Sequence, residues 1–172
     1  MMMTTDGTAM PLRAGSRPAT TATNPHTQLD QIAPVDLQDR LRDHALSLPG
    51  VRRGSSRVSV PGAVAFYLDE PTNPSTMPNL FGGEWGHIHP HSDGSLHLNV
   101  PTELAEQLIQ DGWAEYHCLV APGHIPPLVV MLYGPRDDAE FAVCASVVEE
   151  AYLANGGARH DAAGRTLGVA SS

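Results

Sequence analysis

Residues 84–100 read Glu-Trp-Gly-His-Ile-His-Pro-His-Ser-Asp-Gly-Ser-Leu-His-Leu-Asn-Val. The period-two alternation on both sides of an Asp-Gly turn constrains this chain more than any other stretch, because it predicts two strands, 85–91 and 95–100, joined as a hairpin. A two-residue Asp93-Gly94 loop mixes imidazoles and leucines on both faces. A three-residue loop, Ser92-Asp93-Gly94, with Gly94 in the left-handed third position, separates them. That register opposes His91 to Ser95, His89 to His97 and His87 to Asn99. It puts Ile88, Pro90, Leu96, Leu98 and Val100 on one side. Trp85, His87, His89, His91, Ser95, His97 and Asn99 fall on the other. A buried apolar face fixes register, so the three-residue loop is preferred.

The hairpin fits a larger pattern. Leu37, Leu41, Ala45 and Leu48 repeat at helical spacing after Asp36, and Pro49-Gly50 stops them. Strands are expected at 57–60 and 63–68 around Pro61-Gly62, then a long loop over 69–83, where Pro, Asn and Gly are dense. A helix over 101–111 ends at Gly112. Strands follow at 113–120 and at the continuous apolar run 128–133, and Asp137 with Glu140 fits a capping box opening the last helix. Strands joined by short turns favour an α+β fold: an antiparallel sheet with helices packed mainly on one face. Residues 1–34 are rich in Thr, Ala, Pro and Gly without period and read as a disordered N-terminal tail. The folded domain is expected over 35–154, with a flexible C-terminal tail over 155–172.

Composition removes several functions. The 172 residues carry 10 Lys+Arg against 19 Asp+Glu, a formal charge of −9. This argues against a nucleic-acid binder. No Lys is present, which excludes a Schiff-base lysine and a P-loop. No Gly-rich loop follows a strand, so no nucleotide cofactor is expected. The apolar runs are too short to span a membrane. Without an export signal, and with two thiols far apart (Cys118 and Cys144), the expected location is the cytoplasm. Oligomeric state is not legible.

Four histidines within residues 87–97 carry the chemistry. Opposed residues in a hairpin have Cβ atoms about 4.5–5.5 Å apart, so His89 and His97 would share one ion, with His87 as third ligand and Glu84 as a nearby carboxylate. Two or three imidazoles with a carboxylate suit a divalent transition metal, Fe or Zn. Without metal, the same face supplies general acid and base groups. The bland alternative is a solvated face with histidines as filler, and His91, nearest the turn, is the expected bystander. His117 is a further candidate, on the Glu115 face of its strand. His26, His44, His124 and His160 read as surface residues, and Cys144 as core.

Leu48-Pro49-Gly50-Val51, Pro61-Gly62-Ala63-Val64-Ala65-Phe66, and Glu84-Trp85-Gly86-His87-Ile88-His89 resemble the small luciferase domain family, which includes the fungal luciferases and many bacterial proteins. The resemblance runs over about 46–152, through Tyr116-His117 to Ala151-Tyr152. It implies a compact α+β domain and, for the fungal members, oxidation of a hydroxypyrone with O₂. By position, Glu84, His87, His89 and His117 match the family's polar motif. His97 departs from it, since an acidic residue is usual there, and the family's Ser-Gly-Trp is replaced by Ala121-Pro122-Gly123-His124. The resulting expectation is a small oxygenase-type tailoring enzyme of secondary metabolism acting on a phenolic or pyrone-like small molecule. Its site residues are Glu84, His87, His89, His97 and His117. The rivals are a non-oxidative isomerase or cyclase working by His acid/base chemistry, and a non-catalytic small-molecule binding module.

Overall fold

The computed structural model describes residues 9–159 and the backbone of 160 and 166–167, so the expectation for the His160 side chain lies outside the described residues. In chain order it contains α1 (Val35–Ser47), β1 (Arg52–Ser55), β2 (Val64–Tyr67), β3 (Glu84–Ile88), β4 (Leu96–Asn99), α2 (Thr102–Gln110), β5 (Ala114–Tyr116), β6 (Val129–Leu132) and α3 (Asp138–Ala154). Strands β1 to β6 form one sheet in the order β1-β2-β3-β4-β6-β5, and every neighbouring pair is antiparallel. This is the α+β class that the sequence pattern predicts. No helix among the described residues is long and apolar enough to cross a membrane.

Alternation along each strand gives the sheet two dissimilar faces. Phe66, Ile88, Leu96, Leu98, Val130 and Leu132 point to one side. There they meet Leu41 and Ala45 of α1, Leu104 and Leu108 of α2, and Val143, Cys144, Val148 and Tyr152 of α3 in one core. All three helices therefore contribute to a single face. The Asp137 side chain caps α3 by accepting from Glu140 N–H at 2.9 Å. Glu140 does not complete the box: its carboxylate takes the Arg136 backbone N–H and guanidinium instead.

The opposite face carries one row of side chains across five strands: Ala65, His87, His97, Met131 and Glu115 are successive partners from β2 to β5. The chain's own N-terminal stretch lies over this row. From residue 9 on, what composition suggests is a disordered leader is a strap bonded to the fold. Arg13 N–H donates to Asp111 O at 2.9 Å, and Trp113 Nε1 to Pro11 O at 2.7 Å. Arg17 reaches Ala114 O at 3.1 Å, and Gln28 N–H donates to Asp93 Oδ1 at 3.1 Å. Most of these contacts use backbone atoms, so they need no side-chain period. Residues 1–8 lie outside the described residues. So do 161–165 and 168–172 of the expected C-terminal tail, where the described remainder includes a short antiparallel pairing of Arg159–His160 with Thr166–Leu167.

Three local expectations are corrected. The first sheet strand is Arg52–Ser55, not 57–60: Arg52 to Ser55 pair with Tyr67 to Val64, and residues 56–63 form the connection. The hairpin register shifts by two residues. His87 opposes His97 and Ile88 opposes Leu96, while His89 N–H bonds Ser95 O at 2.9 Å. Pro90 has no N–H to continue the ladder, so the loop opens to residues 90–94, with Asp93 and Gly94 N–H both on Pro90 O at 2.9 Å. A two-residue shift preserves facing, and the imidazoles stay on one side. Finally, Trp85 lies in the helix-side core against Phe66 and Tyr152, not on the histidine face. A bulge between Phe66 and Tyr67 leaves Trp85 as the extra residue of β3 and resets the alternation.

Candidate metal centre

Strands β3 and β4 bring His87, His89 and His97 together, all nearly inaccessible. Gly86 permits the close approach: a Cβ there would lie 2.6 Å from Leu98 Cδ2 and 3.0 Å from His97 O. His87 and His97 rings meet edge to face with centroids 5.0 Å apart, and His89 and His97 at 4.8 Å. His117, just past β5, joins at 4.6 Å from His97. His26, taken in sequence as a surface residue, is 3 % exposed. The strap stacks it on His97 at 5.4 Å. His91 lies outside, on Asp39 of α1. His124 is exposed and His44 pairs with Glu149.

Carboxylates orient three of these rings from behind. Glu84 Oε1 holds His87 Nδ1 at 2.9 Å, Asp93 holds His89 Nδ1, and Glu115 Oε1 holds His26 Nε2 at 2.7 Å. Glu84 also accepts from Ser56 Oγ and Tyr67 OH. Asp93 accepts from Ser95, and Glu115 from Thr20 and Tyr133 hydroxyls. Burial pushes each of these carboxyls up, but the bonds from histidine and hydroxyl outweigh it, leaving Glu84, Asp93 and Glu115 below their ordinary values. They are acceptors, so each facing ring nitrogen is an N–H donor. Carboxylate on one ring nitrogen, open lone pair on the other, is how metal-ligating histidines are supported.

His97, His117 and His87 resist protonation. Burial first, then the neighbouring imidazoles, lowers His97 well below its ordinary value. The same two causes bring His117 to about 4. Burial lowers His87 as well, with Glu84 opposing in part. If all three rings are neutral, protons can be counted along the chain Glu84–His87–His97–His26–Glu115. Its two N···N contacts are His87 Nε2 to His97 Nδ1 at 3.1 Å and His97 Nε2 to His26 Nδ1 at 3.3 Å. A neutral imidazole has one N–H. His87 and His26 spend theirs on the carboxylates, so the single His97 proton must serve two contacts. One contact is left as lone pair against lone pair. Another proton would fill it only by making a buried imidazolium among imidazoles. A metal ion, which takes lone pairs, fits the donor set.

Beside the cluster is a cavity of about 260 Å³, whose lining includes Phe81, Trp85, His87, His97, Asn99 and Ile125. Two buried polar atoms of its lining residues, Trp85 Nε1 and Asn99 Oδ1, have no hydrogen-bond partner. A second cavity of about 240 Å³ touches His26, His89, His97 and His117.

The structure thus places Glu84, His87, His89, His97 and His117 in one cluster. Sequence reasoning missed His26, Asp93 and Glu115. Asp93 was read only as a turn residue, although it stands four residues after His89. Glu115 shares its strand face with the His117 position. For His26 the one signal was indirect: the apolar run into β6 reads as buried on both faces, so something had to cover the histidine side.

Residues 82–151 match the family described as Luciferase domain. A luciferase of Armillaria mellea is 31% identical over 88 residues, which is 49% of this chain and 31% of that protein. A luciferase of Neonothopanus nambi is 32% identical over 76 residues, 42% of this chain and 28% of that protein. The chain spans under a third of the length of the curated relatives it matches. No solved structure matches it. His26 lies outside the family segment, and the other four clustered histidines lie inside it.

Proposed function

Because residues 82–151 of this chain form a domain of the luciferase family, we propose that it is a small oxygenase. It acts on a compact phenolic or pyrone-like molecule beside a divalent transition metal held by His87, His89 and His97. The observation that carries the metal is the unmatched lone pair at His97, flanked by rings whose far nitrogens are already fixed by Glu84 and Asp93. A bound ion supplies a Lewis acid for a substrate oxygen.

The chain's residues do the rest. The cavity is at the small end of ligand sites, sized for a single ring or a compact fused one. Phe81 and Ile125 supply apolar walls. A hydroxyl of the substrate, once deprotonated, leaves an electron-rich anion that is a reductant for O₂.

Protein purified without chelators should hold a stoichiometric transition metal and consume O₂ with a hydroxylated pyrone or phenol. The His89→Ala variant should lose both. Full turnover in metal-stripped protein would remove the metal from this reading. Turnover without O₂ uptake would remove oxygenation, and would favour a second reading: acid/base isomerisation or cyclisation by the Glu84–His87 and Asp93–His89 pairs, whose geometry serves that chemistry equally.

A further inference from the structure

Among the clustered rings His97 is distinguished by having both nitrogens directed at other ring nitrogens, Nδ1 at His87 and Nε2 at His26. We propose a second divalent-metal position, formed by His26, His97 and His117, which shares His97 with the first through its other nitrogen. The proposal rests on the reading that His87, His89 and His97 take an ion. Both triads have ligand atoms within 4.8 Å of one another. Two imidazole nitrogens bound ~2.1 Å from one tetrahedral zinc lie about 3.4 Å apart. The His97–His87 and His97–His26 contacts, 3.1 and 3.3 Å, are close to that separation on both sides of the same ring.

The surroundings of His26 are built as those of His87 are. Its Nε2 is fixed by Glu115 at 2.7 Å, which leaves Nδ1 to face His97, and Glu115 is itself held by Thr20 and Tyr133. Charge is consistent with two ions. Glu84, Asp93 and Glu115 contact the rings of His87, His89 and His26. When both positions fill, the His97 ring proton leaves to solvent, and the resulting imidazolate bridges the two ions. Three carboxylates and one imidazolate then balance two divalent cations. The second position is the weaker of the two. His117 Nδ1 already accepts the Leu119 N–H at 3.1 Å, and a neutral ring so engaged carries its proton on Nε2. Ligation therefore costs His117 either that bond or that proton. The strap supplies His26, so this position exists only where the strap lies on the sheet. The cavity touching His26, His89, His97 and His117 gives an ion a way in.

The test is titration of the full-length, chelator-stripped protein with Zn(II) alone, followed by calorimetry. Two equivalents are expected, the second weaker. His26→Ala should keep the tight one and lose the weak one, and His89→Ala should do the reverse. Glu115→Gln, which leaves His26 in place, should weaken only the second equivalent, by about 10–100-fold. It provides the same discrimination if His26→Ala fails to fold. A single equivalent in the wild-type protein overturns the second position, as do two equivalents that both survive His26→Ala and Glu115→Gln. If that single equivalent persists in His26→Ala and vanishes in His89→Ala, the first position stands alone. No binding at all overturns both.

Discussion

On the helix side of the sheet, Leu96, Leu98, Val130 and Leu132 are fully buried among other apolar side chains. On the strap side, His97 and Met131 leave the same strands one residue out of phase, in a row with His87 and Glu115 of the neighbouring strands. The helix face needs only volume and apolarity, and three helices supply both. The strap face buries imidazoles and carboxylates, so each polar atom there needs a partner, and the partners come from the hairpin loop (Asp93), a bulged strand (Glu84) and the strap (His26). One face is generic packing. The other is a bonded network in which, with every ring neutral, one N···N contact has no proton to fill it. The two faces should therefore respond oppositely to pH, truncation and metal.

Acid should produce the largest separation. His87, His97 and His117 titrate below their ordinary value of 6.5 in the fold, His117 at about 4. The unfolded chain therefore binds more protons as pH drops through 6.5, and the stability these neutral rings contribute is lost from there down. Glu84, Asp93 and Glu115, also lowered, contribute stability above their ordinary values near 4, and it disappears below them. Both sets have the same sign and lie on the same face. The unfolding free energy of metal-free protein, from urea melts, should fall continuously from pH 7 to pH 4. A flat profile across that window would falsify the neutral-cluster description.

Leu132→Ala tests the other face. Leu132 is fully buried, paired with Leu96 and Ala114, and distant in role from the imidazoles. A cavity there should cost about 2–5 kcal/mol, read as a lower urea midpoint at constant slope. Zn(II) affinity of the folded variant should be unchanged. A parallel loss of affinity would mean that the two faces are not separable.

The sequence made the faces legible because parity survives a two-residue slip. Ile88, Leu96 and Leu98 stayed together, and so did His87, His89 and His97, although the opposed pair became His87 and His97. Loop length was not legible, because Pro90 and Asp93 have tertiary roles: one ends the ladder and the other bonds His89, Ser95 and Gln28. Trp85 was misplaced by a bulge that leaves no mark in alternation. His26 left only an indirect signal, because a strap held through backbone groups has no period to detect.

Glu84→Gln acts within the polar face alone. The amide oxygen still accepts from His87, but the charge that makes that ring a better ligand is gone. Support of this kind is worth about 10–100-fold in metal affinity, or about 1.4–2.7 kcal/mol. Zn(II) competition with a chromophoric chelator measures it. An unchanged constant would show that Glu84 is not behind a ligand.

The smallest effect belongs to the histidine that proximity in sequence would rank with the others. His91 is two residues from His89, yet its side chain is 53 % exposed against 1 % for His89. The pleat does not decide this, because the strand ends at Ile88 and His91 stands in the loop. It pairs there with Asp39 of α1 at 2.8 Å, in solvent. Exposed ion pairs contribute little. His91→Ala should leave both the urea midpoint and Zn(II) affinity at wild-type values, while His89→Ala abolishes tight binding. If His91→Ala also weakened Zn(II), the loop would have to fold its ring inward on metal binding, and the boundary between the buried network and the surface would lie at Ser92 instead of at Pro90.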